Sequence, residues 1–454
     1  MSHVSRRLTK ASFGALCLVS ILAFSTSNSA YADNVVTTVS LGGFAPVGFA
    51  FDPTNGDVYV ASSGATIVPV ISGSSNTVTA NVTVGYDPTR IVFDSLNGNI
   101  YAANYDSGTV SVISGSTNAV VATVDVGQGP AAIAFDSMNG GIYVANQNSY
   151  TVSVISGSDN SLVATVPVGT NPNALAYDAT NGDIYVANGN SCSNCLGSVS
   201  VISGSTNSVV ANVSVSGFAE DVAFDSSNGN VYVASRDSAI SVISGTTNTV
   251  AATVSLPSSS EGFVFDSNNG DIYVANAYST VSVISGSTNS IVAMLPIGQG
   301  QGSRTNIGSY PSGVAFDPDN GDIYVTNIPN QGLPFAGAEG GAGSPIPMAE
   351  ASTNPGSVSV ISGSTNTLIQ NVTVGGGPAG IAFDPDNGNI YVANSNPTYI
   401  GPDNFTGTVS VIAPSGTTAV PEFANQALLA TLAVSMILVA SVLRLENSRL
   451  LGRS

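Results

Sequence analysis

Phe135-Asp136-Ser137-Met138-Asn139-Gly140-Gly141-Ile142-Tyr143-Val144-Ala145 is one of eight variants of a single phrase, aromatic-Asp-x-x-Asn-Gly-x-(Ile/Val)-Tyr-(Val/Ala). The other copies open at Phe51, Phe93, Tyr177, Phe224, Phe265, Phe316 and Phe383, and the first four openings are spaced 42 residues apart. Each copy is followed by a segment close to Val-Ser-Val-Ile-Ser-Gly-Ser-Thr-Asn. A period of this length decides the architecture before any site is considered.

Around Phe135, Ala132 to Phe135 is a short apolar run, Asp136 to Gly140 carries Asn-Gly turn chemistry, and Ile142 to Ala145 is rich in β-formers, which predicts a hairpin. Thr151 to Ile155 predicts a third strand, Ser156 to Asn160 a tight polar turn and Leu162 to Val168 a fourth strand. Four antiparallel strands per unit match a propeller blade. No 3.6-residue pattern recurs, so helical solenoids are excluded. A parallel β-helix is the rival, but its coils are shorter and do not need two such turns each.

Closure is legible at the ends. The final unit supplies strands near Gly380 to Phe383, Asn389 to Ala393 and Thr408 to Ile412, then lacks a fourth. Val35 to Leu41 ends like other fourth strands, since Thr38-Val39-Ser40-Leu41-Gly42 parallels Thr123-Val124-Asp125-Val126-Gly127. The expected fold is all-β: an eight-bladed β-propeller over 33–413 whose N-terminal strand completes the last blade and removes a free sheet edge.

Flanking segments set the expected compartment. Residues 1–32 follow a secretory plan with Arg6, Arg7 and Lys10, an apolar run from Phe13 to Phe24, and Ala30-Tyr31-Ala32 as an A-x-A cleavage site, so the mature chain is expected to begin at Asp33. After a stalk and sorting segment at 414–423, a transmembrane helix is expected over 424–443, and its uncharged stretch runs from Ala427 to Leu443. Arg444, Arg449 and Arg453 in the 444–454 tail place that tail in the cytoplasm and the repeats outside. A buried terminal helix is the alternative reading of the span.

Composition narrows the partners. Of the nine basic residues in this 454-residue chain only Arg90, Arg236 and Arg304 lie between the termini, against 28 acidic residues overall. Such a surface repels phosphate backbones, so nucleic acid is an unsuitable partner. After Lys10 the chain has no Lys, and after His3 no His. Ser-His-Asp and Cys-His catalysis, lysine Schiff bases and His-ligated metals all require residues that the expected ectodomain lacks.

Carboxylate chemistry survives that exclusion. Asp317, Asp319 and Asp322, echoed at Asp384 and Asp386, are calcium candidates, although the same Asp residues serve equally as turn-formers that hydrogen-bond the backbone. No other cofactor is implied. Cys192 and Cys195 bracket Ser193-Asn194 in an insertion of the fourth blade, where a local disulfide is expected and free thiols are the alternative. Sequons stand at Asn81, Asn212, Asn371 and Asn404, the first three at one equivalent place on the outermost strand.

Tyr143-Val144-Ala145-Asn146, Thr151-Val152-Ser153-Val154-Ile155 and Val163-Ala164-Thr165-Val166-Pro167-Val168-Gly169 resemble the YVTN-type β-propeller repeat of archaeal surface-layer and other secreted proteins, a likeness covering 35 to about 413. That resemblance implies a scaffold rather than a reaction. Pro421-Glu422-Phe423, the apolar span and the arginines together resemble the PEF-type sorting tail recognised by archaeosortases, which implies removal of the tail and a lipid anchor in its place.

Long connections gather at Gly189 to Gly197, Ile328 to Gly356, Ser395 to Gly407 and Gln299 to Tyr310. The first three join second to third strands and the last joins a fourth strand to the next first strand, so all share one rim, the expected partner face. The expectation is a non-enzymatic, cell-surface-anchored envelope or adhesion protein that meets another envelope protein or a glycan there. The alternative is an extracytoplasmic hydrolase or lactonase using carboxylates, with or without a divalent cation, at the central channel. An enzyme should gather acidic groups at the insertion-side mouth of that channel; a scaffold should line it with backbone and small residues.

Overall fold

The computed structural model describes residues 32–189, 196–298, 309–329, 355–395 and 407–415. They form eight four-stranded antiparallel sheets and no helix. The third blade shows the plan: β10 (Pro130–Asp136), β11 (Gly141–Asn146), β12 (Thr151–Ser156) and β13 (Leu162–Pro167) pair in sequence order. Each falls within a residue or two of its sequence expectation.

Burial explains why each strand has its composition. In β11 every residue is buried, because both sheet faces are covered by neighbouring blades. Such a strand reads as a continuous apolar run rather than an alternating one. β13 lies outermost and is mostly exposed, with Ala164 half-buried and Val166 buried against its neighbours.

The ring closes at every junction. Tyr101, Val110 and Val112 of the second blade pack against Ile142, Val144 and Ile155 of the third in one apolar cluster. Equivalent clusters sit at the other seven junctions, including Tyr391, Val409 and Val411 of the last blade against Val58, Val60 and Ile71 of the first. The eight repeat tyrosines are the largest side chains at these seams and are at most 1 % exposed. Burying an aromatic of this size contributes roughly 1.5–3 kcal/mol.

β1 (Asn34–Ser40) pairs with β32 (Thr408–Ala413), so the leading strand completes the eighth blade as expected. The Asp-x-x-Asn-Gly loop differs from a two-residue Asn-Gly hairpin turn. In that loop of the third blade Gly140 alone has positive φ (73°), and its N–H bonds the Asp136 carbonyl at 2.9 Å. Asp136 Oδ1 accepts from Met138 N at 2.8 Å and Asn139 Oδ1 from Gly141 N at 2.6 Å, so Asp and Asn brace a four-residue loop and Gly supplies the left-handed residue.

Candidate functional site

The two rims of the ring carry different chemistry. On the rim of the Asn-Gly loops, Asn97 Nδ2 donates to Gly157 O of the next blade at 2.7 Å, and Tyr101 Oη donates to Asn160 Oδ1 at 2.7 Å. Asn160 adopts positive φ (59°), a conformation Asn tolerates. The buried Asp94 lies against the same turn, so that a Cβ on Gly157 would meet Asp94 Oδ2 at 2.5 Å. The same clasp recurs around the ring, for instance from Tyr143 to Asn207 and Tyr232 to Asn289. A cleft of about 400 Å³ on this rim is lined by Asn97, Asn139, Tyr143 and Asn207, which are members of the clasp.

The opposite rim holds the strand ends that the insertions join. Each inner strand has a bulge near its start, as between Pro88 and Arg90 of β6 (Pro88–Asp94) and between Ala219 and Asp221 of β18 (Ala219–Asp225). Bulges bend a strand and re-aim its side chains. The first residue after the bulge is small in six blades: Gly48, Ala132, Ala174, Gly262, Gly313 and, by position, Gly380. In the second and fifth blades it is Arg90 and Asp221.

Around Asp221 the wall is acidic. Glu220 is the bulged residue of the fifth blade and Glu261 that of β22 (Ser260–Asp266) in the sixth. Glu220 is ion-paired with Arg236, whose guanidinium lies 4.9 Å from the centroid of the Phe218 ring. Burial pushes the Asp221 carboxyl up to about 6, against the opposing pull of the Val222 backbone N–H and of the Arg90 charge. Burial also raises Glu220 and Glu261, and the charge of Glu220 raises Glu261 further. Across the bore, Arg90 reaches water yet is ringed by protein; that environment lowers its pKa, and Asp221 counteracts the shift.

A hydrogen-bonded arc supports this wall. Tyr105 Oη donates to Gln147 Oε1 at 2.6 Å, Gln147 Nε2 to Asn173 Oδ1 at 2.6 Å, and Asn173 Nδ2 to the Ala219 carbonyl at 3.3 Å. The arc crosses from the second blade to the peptide that carries Glu220. Gln147 is 6 % exposed and has no counterpart in the repeat, so this is a buried polar element specific to the rim.

Aromatic residues follow the same asymmetry. Among the described residues, those outside the repeat's core positions are Phe44, Tyr86, Tyr105, Tyr150, Phe218, Tyr278 and Tyr310, and all lie in links or turns of the insertion rim or at its edge. Tyr278 is 73 % exposed, and Tyr86 and Tyr150 nearly half exposed. Tyr310 is within electrostatic reach of both Tyr278 and Glu261. Neither stripe nor spacing marks these residues in the sequence. The usable signal was an alignment of the eight inner strands, in which Arg90 and Asp221 stand out against Gly and Ala.

The candidates read from sequence are placed as follows. Asp317 and Asp384 are buried, and each accepts a backbone N–H within its own loop, from Asp319 and Asp386 at 2.9 and 3.0 Å. Asp322 donates its N–H to Asn320 Oδ1. Among the described residues no group of three His, Cys, Asp or Glu side chains is arranged to hold a metal ion. Asn81, Asn212 and Asn371 are exposed and equivalent in register, opposite Pro69, Ser200 and Ser359. Ser200 and Ser359 donate to the Oδ1 atoms of Asn212 and Asn371. Cys192, Cys195, Asn404, Pro421, Glu422, Phe423, the expected signal peptide and the expected membrane span lie outside the described residues, Asp33 and Ala32 excepted.

No family model and no curated protein matches the chain. Among solved structures, a chain of Kuenenia stuttgartiensis hydrazine synthase is similar, with a TM-score of 0.52 and 15 % identity over 82 % of this chain and 96 % of that one. At that identity the likeness concerns the propeller fold alone. Small residues follow the bulge in six blades, and among the three acids of this wall Asp221 is coupled to Arg90 while Glu220 and Glu261 are coupled to Arg236.

Proposed function

We propose that this chain is a surface-tethered, non-enzymatic propeller that binds a glycan of the cell envelope through its insertion rim. One observation carries the binding face: every non-core aromatic among the described residues, together with both described arginines, lies on that rim. Exposed tyrosines offer rigid apolar faces with a polar tip, while Glu261, Asp221 and the Gln147 arc offer hydrogen-bonding groups beside them. Sugars present this combination of C–H faces and hydroxyls. Tethering outside the cell is supported by the A-x-A site, the uncharged C-terminal span and the terminal arginines, and the YVTN-type and PEF-type resemblances agree with it.

The test is binding of the purified chain to isolated envelope polysaccharide, with Tyr278→Ala and Tyr86→Ala as variants. The expected result is saturable binding that weakens about tenfold or more in the double variant, a loss of about 1.4 kcal/mol. Binding that is absent, or unchanged in the variant, overturns the reading. Tethering is tested separately, by whether the protein sediments with the envelope and is cleaved by protease added to intact cells.

A second reading rests on Asp221. A carboxyl raised to about 6 beside a second carboxyl can hold a proton near neutrality and act as a general acid in glycoside or ester hydrolysis. Hydrolysis of that same polysaccharide, abolished by Asp221→Asn with binding retained, would favour it.

A further inference from the structure

The clasp between neighbouring blades is broken once. At seven junctions the repeat tyrosine donates to a left-handed Asn in the next blade's 3–4 turn, as Tyr391 does to Asn76 and Tyr273 to Asn366. The eighth blade borrows its outer strand from the N-terminus and has no such turn. There Tyr324 Oη donates instead to Asp33 Oδ2 at 3.2 Å. Asp33 Oδ1 also accepts the Ser415 N–H, and its carbonyl accepts from Gln370 Nε2 at 3.3 Å.

Substituting an acid for Asn at this place concentrates negative charge. Asp33 is 5 % exposed and Asp317 is fully buried; Asp317 Oδ2 has no hydrogen-bond partner, as is also true of Asp52, Asp94, Asp136, Asp225 and Asp384, but only Asp317 has a buried acid at the clasp position beside it. Burial pushes Asp317 and Asp322 up to about 6 each; after burial, the charges of Asp319 and Asp33 act on Asp317, and those of Asp33 and Asp317 on Asp322. Among the described residues the only side-chain cations are Arg90 and Arg236, both on the opposite rim. Nor do these acids form a metal-holding group.

We propose that hydrolysis of the Ala32–Asp33 bond creates the missing cation: the α-ammonium of Asp33 becomes the counter-ion of Asp317 and Asp322 and locks the seam between the seventh and eighth blades. The bond is cut by a peptidase with water as co-reactant, leaving a carboxylate on Ala32 and a free amine on Asp33 that takes up a proton. The inference rests on the secretory reading only for where the cut falls. A free amine on Asp33 carries a positive charge, whereas an uncut peptide N–H carries none. Export and assembly are thereby coupled, since the ring is fully latched only after the leader is gone.

Chemistry of the chain makes the test clean. Beyond Lys10 there is no lysine, so a chain that begins at Asp33 has one amine. Three preparations are compared: the chain exported and processed by its host, the same chain acetylated on its amine while unfolded and then refolded, and a chain retaining Ser29-Ala30-Tyr31-Ala32 ahead of Asp33. N-terminal sequencing of the first is expected to give Asp33. Acetyl-N-hydroxysuccinimide is expected to label the native amine at least tenfold more slowly than the amine in guanidinium.

The signs follow from the raised acids. A carboxyl whose folded value lies above its unfolded value of about 3.9 stabilises fully below that value and loses the contribution as pH rises through about 6. Acetylated and extended chains should therefore match the processed chain in Tm at pH ~3, below the unfolded carboxyl value, and melt several degrees lower at pH ~7.5. Asp317→Asn with Asp322→Asn should erase the difference. Equal labelling of native and unfolded chains, an equal Tm gap at both pH values, or rescue of the extended chain by added calcium would overturn the counter-ion role. A different N-terminus on the exported chain overturns the processing step alone, because the labelling and melting comparisons can be run on a chain cut at Asp33 from a fusion.

Discussion

The two rims of this ring are made by the same repeat and obey opposite rules. On the loop rim Asp, Asn, Gly and Tyr recur blade after blade, and each is spent on a neighbour, as when Asn228 donates to Gly286 O and Tyr232 to Asn289. On the insertion rim the repeat contributes a bulge and an inward-pointing position, and individual blades fill them differently: Gly in the first, Arg90 in the second, Asp221 in the fifth. Residues that recur eightfold hold the ring together; residues that occur once are free to recognise something. Acidic residues illustrate the point, because the recurrent Asp94 and the singular Asp221 are both shifted upward by burial but only the second faces the bore.

The largest effect should come from crowding a clasp. In Gly157→Ala the new Cβ would sit 2.5 Å from Asp94 Oδ2 and 2.6 Å from the Gly140 carbonyl, and neither can swing away. Overpacking of this kind costs about 1–3 kcal/mol. A fall in the denaturant midpoint with an unchanged slope is expected, and an unperturbed midpoint would show that the junction has slack. Removing one bond without crowding should do less. Tyr143→Phe deletes the 2.8 Å bond to Asn207 Oδ1 while keeping the ring buried, and the expected loss is about 1–2 kcal/mol.

Legibility of the two rims differed for a physical reason. Recurrent chemistry multiplies its own signal, so eight copies of Asp-x-x-Asn-Gly made the blades, their order and the N-terminal closing strand readable from Val35 to Ile412. There the span Asp136 to Gly140 was legible as the turn, and the chain path adds that Asn139 braces it and that Gly140 is its left-handed residue. A singular site has no such amplification. Asp221 and Arg90 are 131 positions apart in sequence and face each other only once the ring closes, and the Tyr105–Gln147–Asn173 arc joins three blades through residues with no shared motif. The calcium candidates are a pattern dense in carboxylates, of which the buried Asp317 and Asp384 each give one oxygen to their own loops.

On the insertion rim, pH isolates the contribution of Asp221. The folded value of Asp221, raised to about 6, exceeds its unfolded value near 3.9, so its contribution is complete below the unfolded value and is lost as pH rises through about 6. Asp221→Asn should therefore match the parent chain near pH 4 and be the more stable of the two at pH 7.5, by on the order of 1 kcal/mol. Arg90→Leu should act the other way, removing the charge that opposes the shift and lowering stability at pH 7.5. Parallel Tm profiles for parent and Asp221→Asn would place the carboxyl in open water rather than in the bore.

Smallest in stability, and most telling for function, is Tyr278→Ala. The side chain is 73 % exposed in the β23–β24 turn that joins Asp271–Asn276 to Thr280–Ser285, so truncation should change stability by no more than about 0.5 kcal/mol. Its effect on polysaccharide binding should nonetheless be measurable if the proposed glycan face includes this ring, since its exposure leaves it open to solvent. Met138, 65 % exposed on the loop rim, is the control: Met138→Ala should leave both stability and binding unchanged. If the two substitutions weaken binding equally, recognition is not confined to the insertion rim, and the division of labour between the rims fails at the point where it matters for function.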